Sequence, residues 1–142
     1  MAHAQQTVLV SRPIGEVFAF LADGTNNPKW RPDVTDIHVV SGRGLGAEYA
    51  QSMTGPRGRT IRGDYRVTRF DEPDRLDFEV TAGPARPVGS FVLRAVSAGS
   101  TEVTFTLDLK PRGVMVLMTP MINKQVAAEV DNIHLLPVAM GD

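Results

Sequence analysis

The sequence predicts an α+β domain in which one curved antiparallel β-sheet wraps around a long C-terminal helix. From Val34 to Leu109 the chain alternates between strand-like segments and short turns, with no helical period. The strands are therefore expected to form an antiparallel meander, because parallel neighbours need long crossover connections. One helix can cover only a stripe of the apolar face of such a sheet, so the rest of that face is expected to line a cavity.

The C-terminal third carries the helical pattern. From Val114 to about Leu136 the apolar residues recur at helical spacing, and Pro111-Arg112-Gly113 separates this segment from the last strand. Pro120 is expected to kink the helix or to mark its true start, and Pro137 is expected to end it. The apolar positions are Val114, Met115, Leu117, Met118, Met121, Ile122, Val126, Val130 and Ile133.

The N-terminal segment predicts a strand over Gln5–Val10 and a short helix that begins near Pro13 and stops at Asp23-Gly24. Residues Thr25 to Pro32 are too rich in Asn and Pro for a strand, but they are compatible with one further helical turn. The helical stripe consists of Ile14, Val17, Phe18 and Leu21. The six strands that follow are predicted at Val34–Val40, Ala47–Met53, Ile61–Phe70, Arg75–Ala82, Val88–Val96 and Thr101–Leu109.

Alternation in two of these strands identifies a candidate core. Apolar side chains at every second position are expected to share one buried face and to pack against Met118 and Ile122 of the helix. The strand residues concerned are Leu76, Phe78, Val80, Val103, Phe105 and Leu107.

Length, charge and composition narrow the class of protein. The 142 residues fit one domain over 1–142, and a net charge of -1 argues against nucleic acid as a partner. The absence of cysteine excludes disulfides and thiolate chemistry. The N-terminus has neither the basic nor the apolar region of a secretory signal, and no apolar run approaches the roughly 20 residues of a membrane span. We therefore expect a cytoplasmic protein without integral membrane association, whose oligomeric state the sequence leaves open.

No catalytic or metal-binding constellation stands out. His3, His38 and His134 do not fall at ligand spacing, so neither a metal site nor a cofactor is expected. There is no Gly-x-Ser-x-Gly elbow. The glycine-rich stretch Gly42–Gly46 precedes a strand rather than a helix, which favours a turn over a phosphate loop.

Several motifs resemble one superfamily over nearly the whole chain. The segments Arg12–Asp23, Asn27–Val34, Gly63–Val67 and Thr104–Leu107 are similar to the first helix and to strands of the SRPBCC superfamily, which has the helix-grip fold. That superfamily includes START lipid-transfer domains, birch-pollen-type allergens and bacterial polyketide cyclase/dehydrase-like proteins, and the local motifs are closest to the bacterial branch. The resemblance implies the fold. Its function stays open, because the superfamily includes carriers, cyclases and regulators.

The expected cavity has apolar walls with a few polar groups. Tyr49, Gln51 and Tyr65 would supply hydroxyl and amide groups, and the methionines at the helix start would adapt to a variable ligand. Two alternatives stay open: Tyr65 is a core residue bonded to backbone, and the methionines are plain core. Trp30 is either a lid over the cavity or a plug in the fold. The residues assigned to ligand binding are Trp30, Tyr49, Gln51, Tyr65, Phe78, Phe91, Met115, Met118 and Ile122.

The cavity mouth is expected at an arginine-bearing end of the meander. The loops Gly55–Arg59 and Gly83–Pro87 and the connection Pro111–Gly113 should cluster there, while the acidic turn Asp71–Asp74 should lie at the opposite end. The arginines concerned are Arg57, Arg59, Arg86 and Arg112. They would favour ligands with an acidic head group, unless they serve only as solubilising surface charge.

These features favour the binding of a hydrophobic or amphipathic small molecule, of lipid, polyketide or aromatic type, by a carrier or sensor. An enzyme is less favoured because no acid–base pair is evident. The alternatives are a cyclase or dehydratase acting on a ligand in the same cavity, and a protein-interaction module with a filled core.

Overall fold

The computed structural model describes residues 2–142 apart from the side chains of Pro56 and Val114. Over these residues the chain forms a curved sheet of eight strands in the order β1-β8-β7-β6-β5-β3-β2, with β4 paired to β3. Every pairing is antiparallel, as the short connections predicted. The strands are β1 (Ala2–Val10), β2 (Val34–Ser41), β3 (Glu48–Thr54), β4 (Thr60–Arg62), β5 (Tyr65–Asp71), β6 (Arg75–Val80), β7 (Val88–Ser97) and β8 (Ser100–Leu109).

Helices lie after β1 and at the C-terminus. Helix α1 (Ile14–Ala22) is followed by a 3-10 helix at Gly24–Lys29, the further turn that the sequence allowed. After β8, a 3-10 segment at Gly113–Met118 leads into α2 (Thr119–Asp131). A 3-10 turn at Asn132–Leu135 then joins α2 to the short α3 (Leu136–Ala139). None of the helices within residues 2–142 has the length and apolar character that a membrane span requires.

The buried face of the sheet follows the predicted alternation. In β8 every second side chain is buried, because the strand pleat directs alternate residues to the core. Half-buried Val80 packs at the edge of this core. The prediction for Met118 is wrong, since 45% of its surface is exposed. The predicted residues that share the core are Leu76, Phe78, Val103, Phe105, Leu107 and Ile122.

The C-terminal helix starts later than the apolar pattern suggested. Pro120 lies in the first turn of α2, where its missing N–H is not needed by the helix. The preceding segment is a 3-10 helix in which Leu117 is 87% exposed, so part of the apolar stripe is surface. The predicted core position of Val114 lies outside the described side chains. Pro137 does not end the helical region but occupies the first turn of α3.

The strand predicted over Ile61–Phe70 is interrupted at Gly63-Asp64. The Gly63 amide donates to the Gln51 carbonyl (2.8 Å), and the Gln51 amide donates to Asp64 Oδ1 (3.0 Å). A Cβ on Gly63 would lie 2.6 Å from Met53 Sδ, closer than atoms can pack. A side chain at this position would have to displace the flexible Met53 side chain. Gly63 lies in the wall of the space between sheet and helix.

Candidate ligand-binding cavity

A cavity of about 290 Å³ lies between α2 and the curved sheet. Its walls are mostly aliphatic and thioether groups, with a few polar side chains among them. The lining residues are Arg31, Gln51, Met53, Ile61, Arg62, Gly63, Tyr65, Phe78, Val80, Pro84, Ala85, Pro87, Leu107, Leu109, Met115, Met118, Met121, Ile122, Gln125, Val126 and Glu129. A space of this size with apolar walls and few polar groups suits one small hydrophobic molecule.

Regular elements hold most of this wall in place. Ile122, Val126 and Glu129 follow one another at helical spacing, so they face the cavity from one side of α2. Phe78 and Leu107 reach it from the inner face of β6 and β8. The wall is therefore fixed by the same alternation that builds the core.

The structure brings many of the predicted ligand-binding residues to this wall. Those that line it are Gln51, Tyr65, Phe78, Met115, Met118 and Ile122. Trp30, Tyr49 and Phe91 belong to the core instead. Trp30 is a plug that packs edge-on against Phe91 (6.0 Å between ring centroids), and Tyr49 stacks on Tyr65 (4.9 Å). None of these three residues lines the cavity.

Two polar side chains of the wall, Gln51 and Tyr65, are hydrogen-bonded to Asn27 behind it. Asn27 Nδ2 donates to Gln51 Oε1 (3.0 Å) and to the Tyr65 hydroxyl oxygen (3.1 Å). Gln51 Nε2 donates to the Gly63 carbonyl (3.3 Å). Burial raises the pKa of the Tyr65 hydroxyl well above its ordinary value, although the bond from Asn27 opposes this shift. The Tyr65 hydroxyl is thus bonded to a side chain rather than to backbone, and it stays protonated at neutral pH.

Sequence reasoning missed the ion pair in the wall. Arg31 Nε donates to Glu129 Oε1 at 2.6 Å, and Arg31 Nη2 lies 2.5 Å from the same oxygen. The two side chains are only 7% and 15% exposed. The Arg31 guanidinium also lies 5.7 Å from the centroid of the Trp30 ring. We refer to Arg31, Gln51, Tyr65 and Glu129 together as the polar cluster of the cavity.

One sequence signal could have identified Glu129. It lies seven residues after Ile122 and three after Val126, which places a carboxylate on the apolar stripe of α2. A charge on a buried face needs a partner. Arg31 gives no comparable signal, because it is 98 residues distant in sequence and only the fold brings it to Glu129.

A polar groove adjoins the cavity at the predicted arginine-bearing end. It encloses about 460 Å³ and shares Pro84, Leu109 and Met115 with the cavity wall. Its other lining residues are Arg86, Val88, Asp108, Lys110 and Arg112. Asp108 Oδ1 accepts a hydrogen bond from His3 Nδ1 at 2.5 Å.

Two of the three loop regions expected to cluster, Gly83–Pro87 and Pro111–Gly113, contribute residues to the groove. Residues of Gly83–Pro87 line both spaces, and Arg112 of the Pro111–Gly113 connection lines the groove. Met53 and Ile61, on the strands beside the loop Gly55–Arg59, line the cavity. Arg57 itself lines neither space, whereas Arg86 and Arg112 line the groove.

The described residues do not offer a metal site. Within 2–142 there is no group of three or more His, Cys, Asp or Glu side chains that could hold a metal ion.

Several solved structures have a similar architecture. The structure is similar to a START superfamily protein from Mycobacterium smegmatis, with 14% identity, a TM-score of 0.79, and coverage of 96% of this chain and 95% of that one. It is also similar to the Zhui aromatase/cyclase from a Streptomyces species, with 16% identity, a TM-score of 0.77 and coverage of 96% and 89%. A Thermus thermophilus protein gives 16% identity, a TM-score of 0.76 and coverage of 96% and 92%.

No curated protein sequence matches the chain. The family model described as polyketide cyclase / dehydrase and lipid transport matches residues 1–134. At such low identities the solved structures show the fold alone, which is the helix-grip α+β fold that the sequence motifs implied. The family match, which spans nearly all 142 residues, shows that the chain belongs to the polyketide cyclase/dehydrase and lipid transport family.

Proposed function

We propose that this protein binds one hydrophobic or amphipathic small molecule in the cavity between α2 and the sheet, and acts as a carrier or sensor. The observation that carries the proposal is the cavity itself, about 290 Å³ with largely apolar walls. A protein-interaction module with a filled core would not need this space, because empty apolar volume costs stability. The family is one whose fold accommodates hydrophobic ligands, which supports the same role.

We further propose that the groove beside the cavity is its mouth. Arg86, Lys110 and Arg112 give the groove more positive than negative charge, since Asp108 is its one carboxylate among the described lining residues. Such a mouth would favour a ligand with an acidic head group outside and an apolar body inside. A comparison of dodecanoic acid with dodecanol tests this preference.

The variant for that comparison is Arg86→Ala with Arg112→Ala, and Arg57→Ala is the matched control because Arg57 lines neither space. The wild type and the control should prefer the acid, and the double variant should lose that preference. An equal preference in all three proteins would show that the basic groove is not the mouth.

The second candidate function is a cyclase or dehydratase that acts on a polyketide or aromatic ligand in the same cavity. It is favoured by the likeness to an aromatase/cyclase structure and by the presence of Arg31 and Tyr65 in the wall, where they could polarise a carbonyl. Turnover separates the two candidates, because a carrier or sensor releases its ligand unchanged.

Native mass spectrometry tests the proposed function. The purified protein, alone and after incubation with a panel of apolar compounds, should carry one noncovalent ligand per chain. Mass analysis of the ligand after release shows whether it has been converted. A protein that neither retains nor takes up any apolar compound would contradict ligand binding.

A further inference from the structure

The Arg31–Glu129 ion pair has unused hydrogen-bonding capacity beside the cavity. Both contacts from Arg31, through Nε and Nη2, go to Glu129 Oε1. Among the described residues no hydrogen bond engages Arg31 Nη1 or Glu129 Oε2. Among the described residues, Trp30 Nε1 is the one fully buried side-chain polar atom without a hydrogen-bond partner. Arg31 Nη1 and Glu129 Oε2 are therefore not fully buried, and they border open space. Both residues line the cavity, and the second space that Arg31 lines holds only about 10 Å³. We therefore assign the open space at these two atoms to the cavity.

Gln51 and Tyr65, the rest of the polar cluster, already have hydrogen-bond partners in the protein. Gln51 accepts from Asn27 and donates to the Gly63 carbonyl, and the Tyr65 hydroxyl oxygen accepts from Asn27. Besides the Tyr65 O–H, whose proton has no acceptor among the described residues, a ligand therefore meets a free donor group on Arg31 next to a free acceptor oxygen on Glu129. A donor beside an acceptor matches a hydroxyl group, which can accept from the first and donate to the second.

The charge of the pair narrows the ligand class further. Arg31 and Glu129 neutralise each other, so a carboxylate at this point would meet the negative Glu129 as well as the positive Arg31. A ketone or ether could use Arg31 but would leave Glu129 Oε2 without a donor, and an unpaired buried acceptor costs free energy. A hydroxyl satisfies both groups without adding charge.

A purely structural role does not account well for this arrangement. Burying two charges costs several kcal/mol in desolvation, and replacing such pairs by apolar residues is often neutral or stabilising, by about 1–4 kcal/mol. Apolar side chains could join this position to α2 without the desolvation cost of two charges, as Ile122 and Val126 do on the same helix face. The pair is also in the wall of the cavity rather than in the packed core.

From these observations we infer that the Arg31–Glu129 pair is a subsite for an uncharged hydroxyl group on the hydrophobic ligand. The inference rests on the proposed function, since it names the chemistry of the ligand in the same cavity. The bound molecule would be an apolar alcohol or phenol, with its hydroxyl accepting from Arg31 Nη1 and donating to Glu129 Oε2.

The test uses three naphthalene probes of similar shape: 2-naphthalenemethanol, its methyl ether, and 2-ethylnaphthalene. Their affinities are measured by displacement of the uncharged dye N-phenyl-1-naphthylamine. In the wild type the alcohol should bind at least about tenfold more tightly than the ether or the hydrocarbon, consistent with one well-paired polar group. Arg31→Met with Glu129→Leu should abolish this preference and change hydrocarbon affinity by less than about threefold, because an uncharged molecule gains little from either charge.

The matched control removes an ion pair of the same residue types far from the cavity wall. Arg94 and Glu102 pair across β7 and β8, and neither lines the cavity. Arg94→Met with Glu102→Leu should keep the full preference for the alcohol. As a second variant, Glu129→Gln keeps the shape of the wall but leaves the Arg31 charge uncompensated. It should raise the affinity for 2-naphthoic acid at least about tenfold, since Coulomb attraction is strong where water is largely excluded.

Equal affinities for the three probes in the wild type would overturn the inference and leave the proposed function standing, because the cavity would still bind apolar molecules. A preference that survives in the Arg31→Met, Glu129→Leu protein would assign the hydroxyl to another group and also overturn it. If the double variant does not fold, the Glu129→Gln variant decides. An affinity for 2-naphthoic acid equal to that of the wild type would then overturn the inference. If no probe binds at all, the proposed function itself fails.

Discussion

Replacing Glu129 by leucine should destabilise the protein strongly, and replacing Arg31 at the same time should restore most of the loss. The guanidinium of Arg31 is 7% exposed, so Glu129→Leu leaves a nearly buried cation whose remaining close neighbour is the face of the Trp30 ring. Removing one partner of a buried pair costs about 3–5 kcal/mol. Because the pair borders a cavity that water can enter, we expect the lower end, about 3 kcal/mol.

Arg31→Met should cost about as much, since Glu129 is then the unpaired charge. The double variant should lie within about 1 kcal/mol of the wild type, because no buried charge is left uncompensated. The coupling between the two positions should therefore exceed about 2 kcal/mol. The assay is urea unfolding, followed by far-ultraviolet circular dichroism and by the fluorescence of Trp30, the sole tryptophan.

The corresponding cycle at the exposed pair Arg94–Glu102 is the control, and its single substitutions should each cost less than about 1 kcal/mol. A Glu129→Leu protein within about 1 kcal/mol of the wild type would refute the reasoning. So would a double variant that loses as much stability as the two single variants together.

Three further predictions concern the core, the surface and pH. Phe105→Ala should lower the free energy of unfolding by about 3–5 kcal/mol, because Phe105 is fully buried and stacks on Phe91 at 4.6 Å, and a loss below about 1.5 kcal/mol in urea unfolding would contradict its place in the core. Leu117→Ser should change stability by no more than about 0.5 kcal/mol, since this side chain is 87% exposed; a large loss would mean that Leu117 is packed. The raised pKa of Tyr65 stabilises the folded protein below the unfolded tyrosine pKa of about 10, and this contribution is lost as pH rises above that value. Chemical denaturation between about pH 9 and pH 11 should thus show a smaller alkaline loss of stability in Tyr65→Phe than in the wild type, and identical slopes would contradict the burial of the ionisable hydroxyl.

The sheet was predictable wherever one face of a strand is buried along its whole length. In β8 the burial pattern alternates at every position, and the same rule placed Leu76 and Phe78 correctly in β6. The interruption at Gly63-Asp64 was not predictable, because it depends on Gln51 and Met53 of a neighbouring strand. Local pattern carries no information about such contacts across the sheet.

The start of the C-terminal helix and the ion pair of the site could not be predicted from local sequence pattern either. The apolar residues from Met115 to Met118 fit a helical stripe, but Pro120 starts α2 later and leaves Leu117 on the surface. The apolar methionines at the helix start were predicted to lie near the ligand. Their sequence pattern does not distinguish a residue of the cavity wall from a residue of the core. The Arg31–Glu129 pair is a tertiary contact between distant parts of the chain, and only the carboxylate on the α2 stripe hinted at it.

If a ligand occupies the cavity between α2 and the sheet, a substitution that fills the cavity should prevent binding. Val126→Trp places a large ring into the space from the middle of α2, while Val92→Trp makes the same change on the exposed face of β7 as a control. Titration with N-phenyl-1-naphthylamine should show one site per chain in the wild type and in Val92→Trp, and at least about tenfold weaker binding in Val126→Trp, because the ring excludes the dye from its apolar contacts. Equal affinity in all three folded proteins, or no binding by the wild type, would contradict ligand binding in this cavity.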